Sequence, residues 1–91
     1  MIKLSHEQIQ SRLADTLGWS YVEPNIQKLF QFETFKEAIL FVNALAFAAE
    51  KMNHHPDVLI QYNKVTLSVH THDASGITNK DFELAHIADS L

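Results

Sequence analysis

Four histidines stand at two places in the chain where reactive groups are easily presented. His54 and His55 follow Glu50 and precede Pro56, His70 and His72 flank Thr71, and Asp81 comes shortly after. Imidazole titrates near neutrality, so two such rings can give a proton to one atom of a substrate and take one from another. A carboxylate within reach of a ring fixes its tautomer, which is the use open to Glu50 and Asp81. The pattern therefore suits general acid–base chemistry. Metal binding is the rival: His70 and His72 fall on one face of a strand, and His54 or His55 can complete a zinc set. The chain has no cysteine to help, and adjacent histidines are poorly spaced for one ion. Structural uses compete as well. A histidine in the last turn of a helix favours the helix dipole, Asp81 suits a helix cap, and Glu50 a solvated helix face. His6 and His86 fall on helix exteriors and are assigned no role.

These residues depend on a series of short elements. Ser5 with Gln8 has the capping-box pattern, and Ile9, Leu13 and Leu17 recur every four residues, so a first helix is expected from Ser5 to the punctuating Gly18. Trp19–Val22 and Ile26–Phe32 are expected strands around the turn Glu23-Pro24-Asn25. Thr34 with Glu37 repeats the capping box and opens a helix from Phe35 to about Met52. Phe35, Ile39, Val42, Ala46 and Ala49 are expected on one face of it. Leu40, Phe41, Ala44, Leu45, Phe47 and Ala48 widen its apolar surface, so one side is expected against a sheet and another against a partner subunit. Pro56 ends that region, since it cannot continue a helix. Val58–Tyr62 and Val65–His72 are expected strands around an Asn63-Lys64 turn. Thr78 with Asp81 caps a last helix through Ala88, with Phe82, Ala85 and Ala88 facing the sheet. The order α-β-β-α-β-β-α, with strands joined by short turns, predicts a four-stranded antiparallel sheet with helices on one face, an α+β two-layer sandwich. A hairpin brings its ends together, so the two histidine groups are expected to meet.

Composition narrows the partners. The 91 residues suffice for one domain. The formal charge is −4 with no basic run, which argues against nucleic-acid binding. The Ala38–Ala49 stretch is too short to cross a bilayer, and the N-terminus has no signal-peptide pattern. The expectation is a soluble cytoplasmic protein with no membrane partner.

Taken together, Glu50, His54-His55-Pro56, Tyr62, His72 and Asp81 resemble in identity and spacing the signature of the pterin-4a-carbinolamine dehydratases. Gly18-Trp19 and Glu50-Lys51 resemble further positions of that family. His70 departs from it, since many members carry a smaller hydroxyl residue there. The resemblance covers nearly the whole chain and implies a single domain over 1–91. It implies dehydration of 4a-hydroxytetrahydrobiopterin to quinonoid dihydrobiopterin, with no metal and no other cofactor. It implies His54 and His72 as the acid–base pair, with His55 binding and orienting the pterin. Glu50 would hold the His54 ring or reach a pterin nitrogen, Asp81 would fix a catalytic tautomer, and Trp19 would wall the pterin. Tyr62 would be structural. A homodimer or homotetramer is expected, with Leu40, Phe41, Ala44, Phe47 or Ala48 at the contact. The alternative is a non-catalytic dimerisation module, because some animal members also serve a homeodomain transcription factor through this helix.

Overall fold

Each helix begins at a side chain that satisfies free backbone amides. The computed structural model describes residues 2–91. Helix α1 (His6–Ala14) starts at Ser5, whose hydroxyl accepts from the Gln8 amide while the Gln8 side chain accepts from the Ser5 amide. It is shorter than the Ile9-Leu13-Leu17 spacing suggests. The helix stops at Ala14, and Leu17 lies in the following turn, 80% exposed. Gly18 follows with φ 89, a conformation glycine adopts without steric cost.

Strand β1 (Ser20–Val22) pairs antiparallel with β2 (Asn25–Gln31). Helix α2 (Phe35–Met52) starts at Thr34, which accepts from the Glu37 amide. Only half of the expected capping box forms, because Glu37 accepts from the Glu33 amide instead. Strands β3 (Asp57–Gln61) and β4 (Lys64–Val69) form the second hairpin, and α3 (Asn79–Ser90) closes the chain. The turn of that hairpin is Tyr62-Asn63, one residue earlier than expected, since Lys64 already pairs with Gln61. Tyr62 takes a positive φ there and is exposed. Strand β4 ends at Val69, before His70 and His72. The chain then holds itself by a Thr71–Gly76 bridge around a short 3-10 turn, His72–Ala74.

The sheet is antiparallel in the order β1-β2-β4-β3, and the fold is the expected α+β arrangement with element order α-β-β-α-β-β-α. Alternation fixes its faces. Ile26, Val65, Leu67 and Val69 are buried beneath the helices, while Leu29 and Leu59 on the opposite face are exposed. The inner stripe of α2 is Ala38, Phe41, Leu45 and Ala49, not the Phe35-Ile39-Ala46 line expected from the sequence. Phe41, expected among the candidate subunit-contact residues, is thereby buried in the core of its own chain. Its ring lies 4.8 Å from Phe30 and 5.1 Å from Phe32. A helix that is apolar nearly all round carries little directional signal, so the aromatic residues of β2 decide which side docks.

Candidate functional site

The end of α2 sends two adjacent histidines in different directions. Asn53 adopts the left-handed conformation (φ 53, ψ 43) and closes the helix with its amide on the carbonyls of Ala49 and Glu50. Asparagine tolerates this conformation better than most residues. Beyond that reversal His54 turns inward, its amide on the Ala49 carbonyl at 3.0 Å, while His55 stays exposed.

His54 is buried, and its Nε2 lies 2.6 Å from Oδ1 of Asp81. Asp81 is completely buried and accepts on its other oxygen from the Thr71 hydroxyl and the Thr78 amide, each at 2.8 Å. The Thr71 hydroxyl is also 2.8 Å from that of Thr78. Asp81 thus caps α3 and holds a histidine at once, two uses that the sequence presented as alternatives. A carboxylate taken out of water needs such donors. With Asp81 as acceptor, the hydrogen of His54 sits on Nε2, and the basic lone pair of a neutral ring is on Nδ1.

His55 is paired differently. Its Nε2 contacts the Glu50 carboxylate, and the two side chains are 54% and 76% exposed. Glu50 therefore holds His55 rather than His54. The helical spacing that links Glu50 to His54 is lost at Asn53, where the helix ends.

The expected meeting of the histidines occurs. His54, His55, His70 and His72 line one open cavity of about 270 Å³, together with Asn53, Thr71, Asp73 and Lys80. The hairpin register explains this, since Asp57 pairs with Ser68 and so sets the start of β3 beside the end of β4. His70 and His72 lie ring to ring with centroids 4.3 Å apart, and His70 Nδ1 donates to Oδ1 of Asn25 at 2.8 Å. Asn25, Thr71 and Lys80 also stand at this site, though no local sequence signal marks them. The β2–β4 register, which places Asn25 near His70, becomes legible only once the strands are paired. Among the described residues, no group of three or more histidine, aspartate or glutamate side chains is arranged to hold a metal ion.

Trp19 is not brought to this cavity. It is buried in the core, edge-on to Phe30 at 6.1 Å, and its indole N–H donates to Asp89 at 3.1 Å. The wall expected of it next to the histidines is therefore not formed within this chain.

Residues 2–91 match the family model described as pterin 4 alpha carbinolamine dehydratase. A protein of Picosynechococcus sp. that bears the same family's name is 49% identical over 89 residues, covering 98% of this chain and 97% of its own. A Sulfurisphaera tokodaii protein with that name is 48% identical over 91 residues, covering 100% and 98%. A crystal structure from Brucella melitensis, described as a transcriptional coactivator/pterin dehydratase, superposes with a TM-score of 0.94 at 30% identity, covering 98% of this chain and 97% of that one.

Proposed function

The chain belongs to the pterin-4-alpha-carbinolamine dehydratase family of hydro-lyases, and we propose that its histidine cavity dehydrates a 4a-hydroxytetrahydropterin to the quinonoid dihydropterin. The observation that carries this reading is the buried His54–Asp81 pair opening on the same cavity as His72. In the reaction the C4a–O bond breaks, the oxygen leaves as water with one added proton, and N5 gives up its proton as the C4a=N5 bond forms. His54 is the base. Its Nδ1 takes the N5 proton, and Asp81 stabilises the imidazolium that results. His72, exposed at the cavity rim, protonates the departing hydroxyl. His55, with Glu50 behind it, binds and orients the pterin edge.

Acid–base catalysis of this kind contributes roughly 10²–10⁴-fold, which suffices for a carbinolamine that already loses water unaided. The proposed role is recycling of tetrahydrobiopterin-type cofactors in the cytoplasm. His72→Ala should lower kcat about 10²-fold after the uncatalysed rate is subtracted, with far-ultraviolet circular dichroism unchanged. A wild-type kcat in that variant would remove His72 from the mechanism. The limbs of the pH profile assign the roles, since loss of the base removes the acidic limb and loss of the acid the alkaline one.

The outer side of α2 supports a homodimer or homotetramer. Leu40 is exposed and Phe47 is 79% exposed, and contiguous apolar surface of this kind marks an interface. Light scattering at micromolar concentration that returns a monomer would overturn this. The same surface carries the second reading, an interaction module, because the Brucella protein is described as a coactivator as well as a dehydratase. A protein with no effect on carbinolamine dehydration but stable self-association would favour it.

A further inference from the structure

His70 lines the histidine cavity, yet the mechanism above gives it no proton to carry. It lies one residue beyond β4, two residues before His72. Residues two apart on extended chain share a face, and the two rings meet with centroids 4.3 Å apart at 56°. On its other side His70 is tied to β2. Ile26 pairs with Val69, so the next step of the register sets Asn25 opposite His70, and the His70 Nδ1–H donates to the Asn25 Oδ1 at 2.8 Å. His72 itself is exposed and begins the 3-10 turn, after the strand has ended.

We infer that His70, anchored by Asn25, is a positioning residue that holds the His72 ring in its working orientation. An exposed histidine has three staggered wells at its first torsion and two opposed ring orientations, about six arrangements in all. Only some of them point a given nitrogen at a bound substrate. A neighbouring ring fixed by a hydrogen bond to a central strand removes several of these arrangements. Limiting His72 to one of about six is worth at most about sixfold in rate, well below the loss expected when the ring itself is removed. Orientation of this kind acts on the step in which the proton moves, so it lowers kcat and leaves KM little changed.

The inference rests on the dehydratase reading, and the experiment separates the two. Turnover of a 4a-hydroxytetrahydropterin is measured for the wild type, His70→Ala, Asn25→Ala, His72→Ala and the His70→Ala/His72→Ala double variant. His70→Ala is expected to lower kcat about fivefold, with Asn25→Ala changing it in the same direction and by less. In the His72→Ala background, His70→Ala should do nothing further, because its target is gone. Equal losses in both backgrounds overturn the inference, as does a raised KM with kcat retained, which would make His70 a substrate contact. Imidazole NMR of the unliganded protein supplies a readout independent of turnover. The His72 ring resonances should shift in both His70→Ala and Asn25→Ala. Unmoved His72 resonances overturn the positioning role whether or not the wild type is a dehydratase. A wild type without turnover overturns the dehydratase reading alone. Asn25→Ala leaves both imidazoles in place, so it keeps the test decisive if His70→Ala does not fold.

Discussion

Adjacent along the chain, His54 and His55 end in different environments, and each has taken a carboxylate suited to its own. His54 is buried against Asp81, which lies 27 positions away in sequence, is fully buried and is held by two further donors. His55 is exposed and pairs with Glu50, five positions back on the preceding helix. The first pair cannot exchange its contacts for water, so its geometry is imposed by the packing of α2, α3 and the end of β4. The second competes with solvent at every moment. A base whose charged form needs stabilising belongs in the first environment, and a group that receives an arriving ligand belongs in the second.

This contrast can be broken by mutation, and the largest effect is expected on the buried side. His54→Ala leaves a carboxylate oxygen of Asp81 buried without its donor. It should cost about 3 kcal/mol of folding stability and lower kcat by about 10²-fold or more. Urea denaturation and turnover measure the two losses. A denaturation midpoint no lower than that of His55→Ala would show that the burial difference carries no energy.

His55→Ala should act on binding more than on turnover. KM should rise more than it does in His54→Ala or His72→Ala, and stability should change by less than about 1 kcal/mol, the range of exposed pairs. Steady-state kinetics with thermal melts would show it, and a kcat loss as large as that of His54→Ala would move His55 into the proton-transfer step. A smaller change is expected from Glu50→Gln, about 0–1 kcal/mol in stability and further reduced by salt. An effect on melting that persists unchanged in molar salt would contradict the solvent-exposed character of that pair. The smallest expected effect is that of a chelator, since the proposed mechanism moves only protons. Activity lost on chelation and restored by zinc would turn the histidine cavity into a metal site.

Much of this architecture can be read along the chain because the signals are local. Ser5 with Gln8 and Thr78 with Asp81 announce helix starts through hydrogen bonds spanning one turn. Pro56 bars α2 from continuing past it. The alternation of Val65, Leu67 and Val69 orients β4, and short connections make the sheet antiparallel. The clustering of four histidines follows from the same reading, because a hairpin must return to where it began.

What could not be read are the choices that depend on how elements dock. Whether Glu50 serves His54 or His55 turns on a left-handed Asn53, which breaks the helical spacing just where it would have decided the matter. Whether Phe41 faces the core or a partner depends on Phe30 and Phe32 from another element, since α2 itself is apolar on most sides. Trp19 lies beside a conspicuous glycine in sequence, but its burial is settled by Phe30 and Asp89, the latter 70 positions away. Asp81 as both cap and partner of His54, and Asn25 as the anchor of His70, join residues with no local relation to each other. Short-range hydrogen bonds and side-chain periodicity are properties of a segment and survive in its sequence, whereas the pairing of a buried polar group is decided by whichever donor the packed elements leave within reach.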